Sequence, residues 1–365
     1  MQEITTIADI QKLVVSGFTD WKEFGDVAVT RDQEDGLLIF NYTPKAQFEG
    51  RWNFFERVSR GLILNRVTGE VVARAFDKFF NWFEGGRKAS GYIVTITEKM
   101  DGSLGVLYRL NGEYRIATRG AFNSEQADWA TRFLNVNYQL EGLPEELTLL
   151  FEIVYPGNRV VVDYSGLEAL VVLAARNRFT GEFRPFFPEV YELGQTYGFP
   201  LPKVYRFNNV TEIMERTGTM GAEEEGFVVE FSDGERFKFK GDKYLELHRL
   251  ISGLSFKHTL EAMSSGTVDY IRSQIPDEFL TEFNGWVTQI EAVVAETHQR
   301  VQAIFDEAPQ ATRKDFALWT LAHHPDLASY LFAMLDGKPL EPLIYRLAFQ
   351  DWSDERALRV SENTA

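Results

Sequence analysis

The pattern of apolar residues changes once along the chain, and this change constrains the fold more than any other feature. Across residues 27–244, short apolar runs are separated by Gly, Asn and Asp, which is typical of β-strands joined by turns. Farther along, apolar residues recur at three- and four-residue steps from Trp286 to Ile304, as on one face of a long helix. We therefore predict an α+β fold, with a domain of antiparallel sheets flanked by helices (1–252) and an all-helical C-terminal domain (253–365).

The first domain contains several well-marked strands and turns. Asn111-Gly112 is a strong signal for a type I′ hairpin turn, and Asp233-Gly234 joins a second pair of strands. We predict helices at Ser124–Leu134 and Phe187–Tyr197, and an amphipathic helix near the N-terminus. The predicted strands are Leu37–Tyr42, Gly61–Asn65, Tyr92–Glu98, Gly105–Leu110, Tyr114–Thr118, Leu147–Ile153, Ala169–Ala175, Gly226–Phe231 and Arg236–Lys240.

The composition excludes several kinds of chemistry. The 365 residues include no cysteine, which excludes disulfides, thiolate metal sites and cysteine nucleophiles. All five histidines follow residue 247, so a histidine-based triad or zinc site is excluded from the first two thirds of the chain. Chemistry in that part must use Lys, Arg, Asp, Glu or hydroxyl groups. His248 closely follows the last predicted strand, where a partly buried helix histidine is a more ordinary role than substrate contact.

The charge and hydropathy of the sequence limit the kinds of partner that the protein can bind. A net charge of −16 argues against a protein that coats nucleic acid nonspecifically, but it allows one narrow basic groove on an acidic body. The sequence has no stretch near the roughly 20 apolar residues that cross a bilayer, and its start lacks a signal-peptide pattern. We expect a cytoplasmic protein without membrane partners, and a monomer.

One lysine stands between two predicted strands, in the segment Glu98-Lys99-Met100-Asp101-Gly102-Ser103. A lysine amine becomes a nucleophile when desolvation, nearby cations or a metal help it to lose its proton. Gly102 permits a tight turn and a close approach of the backbone to a ligand. Asp101 can reach the amine or a bound cation, or it can merely brace the turn. By itself, the segment could equally be a solvated turn.

Other charged residues occur at strand ends elsewhere in the domain. Glu152 ends one predicted strand, and Glu225-Gly226 begins another. Lys238 and Lys240 lie on one face of a strand, because side chains alternate along it. Each residue has an ordinary surface role as an alternative. Together they supply a lysine nucleophile, carboxylates for a sugar or metal, and cations for a triphosphate.

The order of these segments resembles the motifs of the covalent nucleotidyltransferases, which include RNA ligases, DNA ligases and mRNA capping enzymes. Lys99-x-Asp101-Gly102 resembles motif I, Phe151-Glu152 motif III, Glu225-Gly226-Phe227-Val228 motif IV, and Lys238-x-Lys240 motif V. Within this group the chain is most similar to the phage RNA ligase 1 family over roughly residues 50–250. Arg119 departs from that pattern, because close relatives have a lysine at this position.

The resemblance implies a catalytic set and a nucleotide-binding set. The implied catalytic residues are Lys99, which carries AMP, with Asp101, Lys238 and Lys240. Glu225 and Asp101 are the implied metal ligands, for Mg²⁺ or Mn²⁺. Phe80 is the candidate for stacking on adenine, although a place in the core is the more common fate of a phenylalanine. The implied nucleotide-binding residues are Arg60, Lys78, Phe80, Glu98, Gly102, Arg119, Glu152, Glu225 and Gly226.

The resemblance also implies a function. An ATP-dependent RNA ligase of this family joins RNA 5′-phosphate and 3′-OH ends through lysyl-AMP and adenylylated RNA, with repair of cleaved tRNA as the expected role. Phage relatives act in the host cytoplasm. Their helical C-terminal domain contributes to the choice of the RNA substrate. One alternative is a DNA ligase or capping enzyme, in which an OB-fold would follow motif V. Another alternative is a noncatalytic protein that binds nucleotides or RNA ends.

Overall fold

The computed structural model describes residues 3–32, 36–251, 254–275, 277–309 and 311–346. Contacts within the chain divide it into two compact units, Met1–Ile251 and Ser252–Ala365. Unit 1 contains all the strands of the described residues, in three four-stranded sheets, whereas the described part of unit 2 is helical. The α+β prediction is confirmed, and the strands that an OB-fold would add after motif V do not occur in residues 254–275, 277–309 and 311–346.

Sheets one and two are fully antiparallel. Sheet one has the order β1-β2-β3-β4, and sheet two the order β10-β9-β7-β8. The hairpin between β7 and β8 turns at Asn111-Gly112, where both φ angles are positive, as a type I′ turn requires. The strands of these two sheets are β1 Val27–Arg31, β2 Leu37–Tyr42, β3 Arg60–Asn65, β4 Val71–Ala73, β7 Ser103–Leu110, β8 Glu113–Ala117, β9 Leu147–Val154 and β10 Ala169–Asn177.

Sheet three has the order β5-β12-β11-β6, and its β5–β12 pair is parallel, which the prediction of purely antiparallel sheets did not include. All nine predicted strands are confirmed to within two residues at each end. The missed strands β1, β4 and β5 include two that are only two or three residues long. The strands of sheet three are β5 Phe80–Asn81, β6 Ile93–Glu98, β11 Gly226–Phe231 and β12 Arg236–Lys240.

The helices of unit 1 cover the outer faces of the sheets. Predicted Ser124–Leu134 is confirmed as a helix that begins after its cap Ser124. Predicted Phe187–Tyr197 is wrong at its start, because Phe187 precedes a proline and is extended, so the regular helix begins at Tyr191. The helices of unit 1 are α1 Ile7–Val15, α2 Pro44–Glu49, α3 Phe54–Val58, α4 Glu125–Asn137, α5 Tyr191–Tyr197, α6 Val210–Thr219 and α7 Asp242–Ile251.

The apolar core of unit 1 is layered. One cluster fills the space between sheets one and two, where Ile63 and Leu150 contribute from β3 and β9. The outer face of sheet one packs against α1, and that of sheet two against α4. Sheet three packs its Phe237 and Phe239 face toward α6. This arrangement leaves the charged face of β12 on the other side of its sheet.

In its described residues, unit 2 has five helices with printed bounds and a further helical segment at 341–346. The 31-residue helix α10 carries the predicted apolar face, including the buried Ile290 and Val301, and ends at Glu307, shortly before Pro309. Across the described ranges, no helix is both long enough and apolar enough to span a bilayer. The helices of unit 2 are α8 Phe256–Ser265, α9 Val268–Gln274, α10 Asp277–Glu307, α11 Arg313–His323 and α12 Ala328–Leu335.

Candidate active site

Lys99, Glu225 and Lys240 meet at the edge of sheet three. Strand β6 ends at Glu98, and the next residue, Lys99, donates its backbone N–H to the carbonyl of Gly226 over 2.8 Å. This bond brings the residue before β11, Glu225, beside the lysine. The Glu225 carboxylate lies 2.6 Å from the Lys99 Nζ and 3.3 Å from the Lys240 Nζ. With its side chain only 3% exposed, Glu225 holds two cations in a desolvated site.

Two glycines allow the strands to approach each other at this site. Gly226 has φ 145°, and a Cβ there would lie 1.9 Å from the carbonyl oxygen of Phe239. At Gly102, a Cβ would lie 2.5 Å from the carbonyl oxygen of Ile153, on β9. Gly102 therefore allows a close approach to strand β9, and the predicted close approach to a ligand stays a prediction.

Asp101 occupies a buried hydrogen-bonded position. Its Oδ2 accepts from the backbone N–H groups of Val161 and Val162, at 2.8 and 2.7 Å, and its Oδ1 accepts from the Tyr244 hydroxyl at 2.9 Å. Its own N–H donates to the Tyr164 hydroxyl over 2.8 Å. Because both carboxylate oxygens already accept bonds, the geometry corresponds to the bracing role, and the expected catalytic or metal-binding role stays a prediction.

Glu152 is the carboxylate with open coordination. It lies on β9 opposite Leu104, half-buried, and its side chain forms no hydrogen bond or ion pair among the described residues. Burial raises the pKa of Glu152 to about 8, against the opposing effect of Lys99, and the charges of Glu225 and Asp101 add to the rise. An acidic group near the Lys99 amine is therefore available to a ligand.

Arg60 and Lys238 both lie close to the ring of Phe79. The Arg60 guanidinium lies 5.5 Å and the Lys238 Nζ 5.3 Å from the centroid of Phe79. The Arg60 Nη1 is buried and has no hydrogen-bond partner within the described ranges. Unsatisfied buried donors are rare in proteins, so this nitrogen is suited to an anionic ligand.

Lys78 and Phe80 are both buried in an aromatic group, and their expected nucleotide-binding roles stay predictions. Lys78 is 2% exposed, and its Nζ lies 5.1 to 5.6 Å from the ring centroids of Tyr42, Trp52 and Phe80. Phe80 is equally buried, and the Arg87 guanidinium covers its ring at 3.9 Å. Because both ring and lysine are enclosed, the structure places Phe80 in the core rather than on an open adenine-stacking surface.

The remaining expected residues lie at the edges of this group. Arg119 donates to the Tyr42 hydroxyl over 3.1 Å, so it joins the aromatic group around Lys78. Glu98 receives a 3.4 Å hydrogen bond from the Lys203 N–H, and its own N–H donates to the Lys203 carbonyl. Within the described residues, neither side chain forms a hydrogen bond or ion pair with the Lys99 side chain.

Sequence reasoning missed the partners of Asp101. Tyr164 and Tyr244 were not singled out, and their signal is tertiary, because loop 161–164 is distant from Asp101 in sequence. His248 is buried near this group, as the ordinary interpretation expected, with its ring 5.9 Å from that of Tyr244. Burial lowers the pKa of His248, and the charge of Lys240 lowers it further.

The residues fit a metal only in part. In the described part of the chain, no group of three or more His, Cys, Asp or Glu residues could hold a metal ion. Glu225 and Asp101 are both engaged by other donors, whereas the Glu152 carboxyl group is open and would act as a ligand after losing its proton. The set therefore fits a hydrated cation that also takes phosphate oxygens, with Glu152 as its carboxylate, and does not fit a cage built from protein alone.

A comparison of the whole chain with known proteins gives a consistent family. A family model described as RNA ligase matches residues 58–244. A protein of Autographa californica nuclear polyhedrosis virus, provisionally named bifunctional polynucleotide kinase/RNA ligase, is 32% identical over 249 residues, covering 58% of this chain and 35% of the relative. The RNA ligase of Rhodothermus phage RM378 is 22% identical over 413 residues, covering 86% of this chain and 90% of the relative.

Coverage of the other relatives is partial. A protein of Thermovibrio ammonificans, provisionally named RNA ligase, is 29% identical, with 56% of each chain covered. The match thus spans about a third of the viral relative and about half of this bacterial one. Among solved structures, a protein of Aquifex aeolicus provisionally named ATP-dependent DNA ligase has a TM-score of 0.47 and 14% identity, covering 92% of this chain and 88% of the other.

The Naegleria gruberi RNA ligase with pyrophosphate has a TM-score of 0.36 and 18% identity, covering 44% of this chain and 52% of the other. The family assignment rests on the family model, whose match to residues 58–244 covers just over half of the 365 residues and includes Lys99, Glu225 and Lys240. This chain belongs to the RNA ligase family.

Proposed function

We propose that this protein is an ATP-dependent RNA ligase that joins RNA 5′-phosphate and 3′-OH ends through an AMP carried on Lys99. The observation that carries this proposal is the contact of Lys99 with the buried Glu225 carboxylate, 2.6 Å away, in a site that also contains Lys240. Family membership supports it. A lysine held this way is desolvated and beside a group that can accept its proton, which a nucleophilic amine requires.

In the first step, the Lys99 amine attacks the α-phosphorus of ATP. The amine must first lose a proton, and the Glu225 carboxylate is the acceptor nearest to it. The new N–P bond forms as the bond from the α-phosphorus to the bridging oxygen breaks, and pyrophosphate leaves with that electron pair. The products are lysyl-AMP and pyrophosphate.

The surrounding cations suit this transfer. Lys240 shares the Glu225 carboxylate with Lys99, so it lies next to the reacting nitrogen and can neutralise charge on the α-phosphate. Arg60 and Lys238, which both lie over the Phe79 ring, are suited to the outgoing phosphates. Phosphoryl transfer depends mainly on such positioning and charge neutralisation.

The next two steps transfer the adenylyl group and seal the RNA. An oxygen of the RNA 5′-phosphate attacks the phosphorus of lysyl-AMP, and the N–P bond breaks to return the Lys99 amine. The RNA 3′-OH then attacks the activated 5′-phosphorus, a new phosphodiester forms, and AMP leaves. A divalent cation, Mg²⁺ or Mn²⁺, would neutralise charge on phosphate oxygens, with Glu152 as its protein ligand. The same carboxylate is also suited to the ribose hydroxyls.

The first test is covalent labelling. Wild type, Lys99→Ala and Lys99→Arg would be incubated with α-labelled ATP and Mg²⁺, after removal of any prebound AMP, and separated on a denaturing gel. We expect label on wild type and none on either variant. Lys12→Ala, an exposed lysine on α1, is the matched control and should label like wild type. Unlabelled wild type would overturn the proposal and favour a binding role.

The second test is sealing. Labelled wild type would be given single-stranded RNA, or DNA of the same sequence, with a 5′-phosphate and a 3′-OH. We expect RNA circles or dimers and release of AMP. Sealing of DNA alone would instead support a DNA ligase, and transfer of the nucleotide to an RNA end without sealing would support a capping-type enzyme.

We further propose that cleaved tRNA is the physiological substrate, that unit 2 contributes to its choice, and that the protein acts as a monomer. These proposals rest on family resemblance. The test compares sealing of a tRNA broken in its anticodon loop with sealing of an unstructured RNA of equal length. Equal rates on both would argue against a role in tRNA repair.

A further inference from the structure

A second group of cations lies at the far end of β12 from Lys240. Because side chains alternate along a strand, Arg236, Lys238 and Lys240 share one face, and Phe237 and Phe239 are buried on the other. At about 3.3 Å per residue, the Arg236 position lies about 13 Å from that of Lys240 along the strand. Cations therefore line one face of β12 along its whole length, from the end near Lys99 and Lys240 to the opposite end.

Three phenyl rings run along this face, and we call Phe79, Phe76 and Phe183 the phenylalanine row. Neighbouring ring centroids in the row are 5.7 and 5.4 Å apart, and Phe76 and Phe183 are stacked. Cations flank both ends of the row. Arg60 and Lys238 lie over Phe79, while the Arg236 guanidinium lies 3.9 Å from the Phe183 centroid. The row thus links the candidate active site to the far end of the strand.

The far end of the row opens into a cavity of about 470 Å³, which we call the β12 pocket. Phe183, Arg184 and Arg236 contribute an aromatic ring and two guanidinium groups to its lining, and Glu182 and Glu230 contribute two carboxylates. Arg236 pairs with Glu230 at 2.6 Å. Arg184 is less tightly held, since its nearest carboxylates, Glu189 and Glu146, lie 3.5 and 3.9 Å away. The Arg184 side chain is 37% exposed and can turn toward a ligand.

Further positive charge lies behind the pocket. Arg176 forms a two-bond pair with Asp77, and the buried Arg74 lies 3.8 Å from the same carboxylate. Burial and the charge of Arg176 lower the pKa of Arg74 to about 10. The three guanidinium groups of Arg74, Arg176 and Arg236 thus share two carboxylates, those of Asp77 and Glu230. With Arg184 and the carboxylates Glu182, Glu189 and Glu146 included, the region holds four guanidinium groups and five carboxylates, so cations and carboxylates alternate around the pocket.

We infer that the β12 pocket binds single-stranded RNA a few nucleotides away from the end that reacts at Lys99. The inference rests on the proposed ligase function. Guanidinium groups bind phosphate through paired hydrogen bonds, and phenyl rings stack on bases without regard to sequence. Because the pocket lies about 13 Å along β12 from the Lys240 position, the nucleotide that it binds would lie beyond the terminal one.

The test measures how affinity depends on RNA length. Fluorescence anisotropy would give the Kd of 5′-phosphorylated, 3′-blocked single-stranded RNAs of increasing length, for the full chain of wild type and variants. For wild type, we expect the Kd to fall as the RNA is lengthened beyond a dinucleotide and to level off once the RNA reaches the β12 pocket. Arg184→Glu should raise the Kd of longer RNAs roughly tenfold and leave that of a dinucleotide unchanged. Phe183→Leu should act in the same direction through lost stacking.

Arg132→Glu is the charge-matched control, because Arg132 is an exposed residue of α4 that does not line the pocket. Equal Kd values for wild type and Arg184→Glu at every length, with Phe183→Leu also unchanged, would overturn the inference. An equal loss in Arg132→Glu would overturn it as well, since only overall charge would then matter. Failure of the ligase proposal is seen separately, as absence of Lys99 labelling in wild type, an assay that contains no RNA.

Discussion

The Lys99 Nζ and the Glu225 carboxylate lie 2.6 Å apart, although the two residues are 126 positions apart in sequence. The positions of both residues follow from the pairing of β6 with β11, in which Glu98 is opposite Phe227. The hydrogen bond from the Lys99 N–H to the Gly226 carbonyl continues this register by one residue. The lysine and its carboxylate are therefore fixed relative to each other by backbone pairing.

Glu225→Gln should slow formation of lysyl-AMP by about 100-fold, because the amide cannot accept the proton of the Lys99 ammonium. The measurement is single-turnover labelling with ATP across pH, where higher pH should partly restore the rate. Glu224→Gln is the matched control. Glu224 is the neighbour of Glu225 in the chain, but its carboxylate pairs with Arg216 of α6, at 2.6 Å. A rate within twofold of wild type for Glu225→Gln would remove Glu225 as proton acceptor.

Asp101→Asn should destabilise the protein by about 2 kcal/mol, because hydrogen bonds to a charged group contribute about 1.5–3 kcal/mol. Its effect should not add to that of Tyr244→Phe, since Tyr244 donates to the Asp101 carboxylate. Urea denaturation of the two single variants and the double variant measures this coupling. An unchanged stability together with a higher Mg²⁺ requirement would instead indicate that Asp101 is a metal ligand.

Gly226→Ala should abolish labelling and destabilise the protein by more than 3 kcal/mol, because its Cβ would overlap the Phe239 carbonyl and its φ of 145° disfavours other residues. Gly112→Ala is the control with positive φ but open space around it. It should cost only about 1 kcal/mol and leave labelling intact. Thermal denaturation and the ATP-labelling gel together check both outcomes.

Glu152→Gln should change the pH dependence of stability. Burial raises the Glu152 pKa to about 8 from a usual value of 4.5. Between these two pH values, the folded state retains a proton that the unfolded chain has lost. Because the unfolded state binds fewer protons there, the free energy of unfolding falls as pH rises.

Between pH 5 and 8, wild type should therefore lose about 1 kcal/mol or more relative to Glu152→Gln, since one pKa unit corresponds to about 1.4 kcal/mol. This change corresponds to roughly 2–4 °C in Tm. Thermal denaturation of both proteins at several pH values is the measurement. Parallel curves would show that the Glu152 pKa is not raised.

The sequence alone determined the local structure and the type of chemistry. Alternating apolar runs and the Asn111-Gly112 turn predicted the strands, because these signals depend on residues close together in the chain. The absence of cysteine and the late position of every histidine directed the search to Lys99 and the carboxylates. The spacing of short motifs predicted a family that the comparison with known proteins confirmed.

Only the tertiary structure decided which charges meet and which are enclosed. The sequence could not distinguish a bracing Asp101 from a metal-binding one, because its partners, the Val161 and Val162 amides and Tyr244, lie at least 60 residues away. It likewise could not show that aromatic rings surround Lys78, or that Phe80 is covered by Arg87. Burial and pairing depend on how strands from distant segments pack, and that information lies in the folded arrangement of the whole unit.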